Sequence, residues 1–374
     1  MCVYYLGRDF EFHLPRPVAR KLFAAARAAL AMLVAASAVY AQGDWKELAP
    51  VSCPSPVPCP SEGMTVGGVG EMIIGVYGFS RFSRLVGGDQ RLTRLYHINR
   101  NSWSLGAPAP APARGEQAYG ETTHGDFLYV IGGRSGSCAG GACDNVERYH
   151  VARNTWETLT PMPTPRAAAA AAVRGDSIYV AGGREGGDGP CGADALDVVE
   201  RYDIHSDSWS TVASLPSPRS DAAAVEHGGR IYVFGGCAGG AFLDDVFVYD
   251  PETDTWSSKT PMPTARASLV AGHLGDKVYA IGGWAGGPPL DANEVYDIES
   301  DSWSIATPIP TGRGEAGVYS HGDRIYVVGG SLPGFGAATD ASEVFTPHPG
   351  TPGHPDHGHG YGHGHGHGHG HGHD

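Results

Sequence analysis

The chain has no long hydrophobic run: its most apolar stretch, Ala28 to Tyr40, is too short to cross a bilayer as a permanent helix. Charge is also scarce, at 18% of 374 residues, and it leans one way, with 26 Lys and Arg against 40 Asp and Glu for a net −14. That balance argues against nucleic acid as a partner, because affinity for its backbone comes from clustered cations that neutralise phosphates. Uninterrupted stretches for long helices are missing too. The 56 Gly and 28 Pro instead mark many turns between short strands, since Gly supplies positive φ and Pro presets φ. None of the seven cysteines stands at the two-residue knuckle spacing of a structural zinc site.

What is present begins with an export signal. Arg16, Arg20 and Lys21 precede the apolar stretch, which closes in Val39-Tyr40-Ala41 before Gln42. A basic region, a short apolar core and small residues before the cut make a secretory signal peptide over residues 1–41, with an uncleaved amphipathic anchor as the alternative. A secreted or periplasmic location is expected, without a stable membrane span after cleavage. The first 41 residues hold five Lys and Arg against two Asp and Glu, which leaves 21 against 38, or −17, for the remainder. Beyond Cys2 an even set of six cysteines suits disulfide pairing in an oxidising compartment. Cys53 with Cys59, and Cys138 with Cys143, bracket short Pro- or Gly-rich segments; Cys191 and Cys237 would then pair across neighbouring repeats.

Five diglycines end apolar strands, at Gly132-Gly133, Gly182-Gly183, Gly235-Gly236, Gly282-Gly283 and Gly329-Gly330, spaced by 50, 53, 47 and 47 residues. A second strand follows with an aromatic at Tyr96, Tyr149, Tyr202, Tyr249, Tyr296 and Phe345. In the first five cases a tryptophan stands seven residues later, at Trp103, Trp156, Trp209, Trp256 and Trp303. Turn-forming segments such as Asp250-Pro251-Glu252-Thr253-Asp254 place each tyrosine and tryptophan on adjacent antiparallel strands. A Pro-rich link ending in arginine and a strand of small residues complete four strands per unit.

Diglycine, tyrosine, the seven-residue step and the proline-arginine link together resemble the kelch repeat over residues 42–347. The resemblance implies an all-β fold, a β-propeller of four-stranded blades. The last unit has a third strand at Ser342 to Pro347 but no tryptophan strand after it, whereas Trp45 to Pro50 reads like the missing piece. An N-terminal outer strand should therefore complete a sixth blade and remove the edges an open array would expose. In the first blade Tyr77-Gly78 stands where the others have diglycine.

The links end in Arg114, Arg166, Arg219, Arg266 and Arg313, just before the innermost strand of each blade. Five guanidinium groups around the channel would suit a carboxylate or phosphate; alternatively each caps its own blade. Arginines at this position face the ligand in kelch propellers that grip acidic peptides, so the resemblance implies a monomeric module for an anionic protein or glycan. Trp284, outside the tryptophan register, is a further candidate contact. Glu116, Glu315 and Asp221 accompany these arginines as candidate acid-base groups or as their neutralisers. One exported six-bladed kelch family, the sialic acid mutarotases, pairs such groups to open and close a sugar ring, and a mutarotase or epimerase of an acidic sugar is the alternative function. His124, His227, His273 and His321 fall near turns at the opposite end, too far apart for one metal.

The chain ends in a low-complexity segment, residues 348–374, with ten of the 18 histidines. His357, His359, His363, His365, His367, His369, His371 and His373 alternate largely with glycine. With almost no apolar surface to bury, this tail is expected to be disordered. Imidazoles at every second position can wrap zinc, nickel or copper, with copper favoured by intrinsic affinity. The propeller itself calls for no cofactor.

Overall fold

A computed structural model of the protein describes residues 43–51, 63–78, 91–112, 120, 122–186, 191–332 and 337–348. The expected signal segment, Cys53, Cys59 and the histidines from His354 onward lie outside the described residues. So do Arg114 and Glu116.

Six four-stranded antiparallel sheets follow one another as the blades of a β-propeller. The third blade illustrates the unit: Ala170–Arg174 is innermost, followed outward by Ser177–Ala181, Val199–Asp203 and Ser208–Val212. The innermost strands are rich in Ala, Gly and Val because six of them crowd one axis, and Ala170, Ala171 and Ala172 are all buried there. The sixth blade takes three strands from the C-terminal end and its outermost, Gly43–Glu47, from the N-terminal end. Gly43–Glu47 runs antiparallel to Ser342–Pro347 with Trp45 opposite Phe345, the register of Tyr202 with Trp209 in the third blade. No helix among the described residues is long and apolar enough to cross a membrane.

The first blade keeps the pattern despite its unusual sequence. Tyr77 adopts φ 59° and Gly78 φ 91°, matching the diglycine of the third blade at 65° and 99°. Gly182 shows why the position favours glycine: a Cβ there would lie 2.4 Å from the Arg219 carbonyl of the next blade. The following N–H, from Gly183, donates to that same carbonyl at 2.8 Å. The diglycine is therefore a docking point between blades as well as a turn.

A two-point clasp joins the blades at their outer edge. The indole N–H of each register tryptophan donates to a carbonyl of the preceding blade: Trp103 to Ala49, Trp156 to Ala107, Trp209 to Thr160, Trp256 to Ala213, and Trp303 to Thr260. The backbone N–H of each of those five residues in turn donates to Asn101, Asn154, Asp207, Asp254 or Asp301. Those side chains sit on left-handed turn residues and also accept the hydroxyl of the blade's own tyrosine, as in Tyr249 to Asp254 at 2.7 Å. Trp45 closes the ring by donating to Thr307 at 2.8 Å. The tryptophans are half-buried, so their value lies in this seam as well as in burial.

The Asp297 carboxyl, at the same end as these hairpins, accepts from the Lys277 ammonium at 2.7 Å and from Ser300. The Lys277 bond, followed by the Ser300 backbone bond, holds it down from the ordinary 3.8 to about 2. A depressed folded value means that this contribution is complete above the unfolded value and fades as pH falls through the folded one. The stability gap between wild type and Asp297→Asn should therefore be constant above about pH 5 and shrink between about pH 4 and pH 2. Urea unfolding across that range measures it; a gap independent of pH would mean the ion pair contributes nothing.

Candidate functional site

The loops joining second to third strands and the links between blades emerge together at one end of the ring, around two concentric sets of residues. The inner set comprises Gly63, Ala168, Asp221, Ser268 and Glu315, each two residues beyond the link-arginine position and each with φ between 53° and 62°. Their backbones hydrogen-bond around the axis: Asp221 N–H to Ala168 C=O at 2.8 Å, Ser268 to Asp221 at 2.7 Å, Glu315 to Ser268 at 2.9 Å and Gly63 to Glu315 at 3.0 Å. Four non-glycine residues held in this conformation form a strained collar of the kind that persists where surroundings enforce it. The outer set, Arg134, Arg184, Cys237, Trp284 and Ser331, directly follows the diglycines. Arg184, Cys237, Trp284 and Ser331 are bridged to the links at Ala167, Ser220, Ala267 and Gly314.

The four described link arginines lie elsewhere than around the channel. Arg166, Arg219, Arg266 and Arg313 are at most 2% exposed. Arg166 pairs with Glu200 at 2.6 Å, Arg266 with Glu294 at 2.7 Å and Arg313 with Glu343 at 2.6 Å, all within their own blades. Each also donates to a second-strand carbonyl, at Val180, Ala280 and Val327 respectively. In the fourth blade Phe247 replaces the glutamate, so Arg219 lies 4.3 Å over its ring, bonds the Gly235 carbonyl and reaches Asp245 at 3.3 Å. Burial pulls all four guanidinium groups below their ordinary value, while the facing carboxylates act against that shift. In the first blade Arg94, from the third strand, bonds the Tyr77 carbonyl at 2.9 Å, and burial lowers it to about 10. This arrangement is the blade cap, rather than a ring of guanidinium groups open to an anion.

Asp221 is also engaged, but with a residue the sequence did not single out. Arg184 donates to its carboxylate at 2.5 Å, Ser220 adds a bond at 2.7 Å, and both ion-pair partners are at most 2% exposed. Asp221 thus neutralises Arg184 of the neighbouring blade, not Arg219 beside it in sequence. Glu315 is partly exposed at the lip of the collar. Beneath lies a small axial pocket lined by Met64, Val66, Leu269, Val270 and Val318, with Thr65 its single polar side chain among the described residues. The loops above are stapled by Cys138–Cys143 and Cys191–Cys237, the second joining the third blade to the fourth.

At the opposite end, His124, His227 and His321 pair with the next blade's turn acids, Asp176 at 3.1 Å, Asp276 at 2.9 Å and Glu71 at 3.2 Å. The described residues hold no group of three or more ligands able to bind a metal ion.

The KLHDC2/KLHL20/DRC7 Kelch-repeats domain model matches residues 121–330, more than half of the chain. The chain belongs to the kelch-repeat family. Kelch-like protein 40 of Xenopus laevis is 28% identical over 155 residues, covering 40% of this chain and 23% of that protein. Beta-scruin of Limulus polyphemus is 32% identical over 146 residues, 38% of this chain and 15% of that protein. This kelch chain spans less than a quarter of the length of these relatives. The solved structure of YjhT overlays it with a TM-score of 0.64 at 18% identity, covering 76% of this chain and 95% of that one, a likeness of fold.

The blade caps make a quantitative test. Glu294→Gln should leave the buried Arg266 without its counter-charge and destabilise the kelch propeller by about 3–5 kcal/mol, whereas joint replacement of both by apolar residues should cost much less. Urea midpoints measure both; a loss below about 1 kcal/mol for Glu294→Gln would remove the cap from the stability argument.

Proposed function

We propose that this kelch propeller is an exported recognition module that grips a partner protein with the loops at its link end. The carrying observation is that the repeated polar and aromatic residues (link arginines, tyrosines, register tryptophans, clasp Asn and Asp) bond within the ring. The blades differ from one another in the second-to-third-strand loops. Those loops carry both described disulfides and the unlike residues Arg134, Arg184, Cys237, Trp284 and Ser331. A rigid scaffold with variable loops is the usual arrangement of a binding surface. The disulfides also favour an oxidising location, which supports export.

An anionic ligand draws less support from this geometry than from the arginine spacing, since four of the five link arginines are buried in ion pairs. The mutarotase alternative needs an acid or base within hydrogen-bond reach of the sugar; Asp221 is taken up by its buried pair with Arg184, which leaves Glu315 at the lip of the collar as the described candidate of that set. Photoreactive residues at exposed link-end positions, Ala241 or Ala285, should capture the partner from the native extracellular or envelope fraction. Equivalents at Arg153 or Glu299, exposed at the other end, should not. Capture from the far end alone would overturn the assignment of the face.

The tail is proposed as a separate site for zinc, nickel or copper through the histidines from His357 to His373. Calorimetric titration should give metal uptake that vanishes when residues 349–374 are deleted and weakens below about pH 6.5 as imidazoles protonate. Uptake unchanged by the deletion would rule the tail out.

A further inference from the structure

Six of the seven tryptophans donate their indole N–H to a carbonyl of the preceding blade. Trp284 does not. It follows Gly283 at the mouth, is half-buried, and its N–H meets no acceptor among the described residues. One edge of the ring lies against the backbone of Gly314, where a Cβ would come within 2.2 Å of the indole nitrogen. Phe242, from the fourth blade's loop, reaches Gly286, two residues beyond Trp284, to within 3.4 Å of where a Cβ would stand. The loops of two adjacent blades thus touch and form one crest, and each carries a partly exposed aromatic ring.

The same two loops each carry a carboxylate. Asp244 and Asp291 occupy the same position in their blades, two residues before the third strand, and both are exposed without a side-chain partner among the described residues. Their backbones are held: the Asp244 carbonyl accepts from Met262 N–H at 2.8 Å and the Asp291 carbonyl from Ile309 N–H at 2.9 Å. The loop is therefore anchored while its carboxylates face water. Aromatic faces attract cations through their quadrupole, and carboxylates attract them directly, so both features select the same sign of ligand. An anionic group would meet two like charges there.

We propose that the crest formed by these two loops, which carry Trp284 and Phe242 together with Asp244 and Asp291, docks a lysine or arginine side chain of the partner protein. This deepens the link-end recognition reading and rests on it. The cationic head lies over an aromatic face, the carboxylates neutralise it, and its aliphatic stem covers the ring edges.

The net charge of −14 attracts any cationic peptide, so the readout must be local. Acetylated tetra-arginine amide titrated into the full chain, with indole nitrogens labelled for NMR, should shift the Trp284 signal while the six clasp indoles stay still. That signal is identified by its loss in Trp284→Phe. Asp244→Asn with Asp291→Asn, both exposed and harmless to folding, should weaken the response roughly fivefold or more at fixed salt, and Trp284→Ala likewise. A stationary Trp284 signal at millimolar peptide, or an equal response to tetraglutamate, overturns the proposal. If link-end photocapture persists but tetra-arginine does not displace the captured protein, the cationic assignment falls while the recognition face stands. If capture occurs only at the far end, both fall.

Discussion

Strand Gly43–Glu47 pairing with Ser342–Pro347 is the interaction on which the rest depends. Every other blade leans on its neighbour through a link that continues the chain; the sixth and first have no such link unless the N-terminal strand is seated. Once it is, Trp45 reaches Thr307 and Trp103 reaches Ala49, so the same segment is clasped on both sides. The collar of left-handed residues then runs from Glu315 to Gly63 across that closure. An open array would leave the collar incomplete and the loop crest without a fixed curvature.

Polar groups sort by radius in this ring. Near the axis Ala, Gly and Val predominate, and the buried charge found there comes with a partner, as Asp221 accompanies Arg184. At mid-radius the arginine–glutamate caps hold the link to the second and third strands, with Phe247 substituting a ring face for a carboxylate in one blade. At the outer edge the tryptophan and the Asn or Asp of each hairpin fasten the preceding blade. What remains for recognition is what the repeat does not use, and that lies in the loops.

Much of this was legible as spacing. Spacing alone gives Trp45 to the last blade, because Phe345 has no tryptophan seven residues on, and the structure sets the two opposite each other. The clasp is not legible even though Asn101, Asn154, Asp207, Asp254 and Asp301 recur two residues before each of the five tryptophans from Trp103 to Trp303, because such residues also suit any turn. The cap was half legible: Glu147, Glu200, Glu294 and Glu343 all stand two residues before the aromatic, in step with the arginines. Arg184 gave no signal of its own, since its partner comes from the next repeat.

The sequence alone determined the number of blades, the order of strands and the register of tyrosine on tryptophan, because repeats and two-residue alternation write those directly into spacing. It also located the two described disulfides. Only the tertiary structure decided which way the repeated side chains point. A link arginine can reach the axis or turn back into its blade with the same spacing, and the choice depends on a carboxylate some 30 residues away that folding brings to 2.7 Å. Direction relative to the axis is a property of the closed ring, and one-dimensional periodicity carries no record of it.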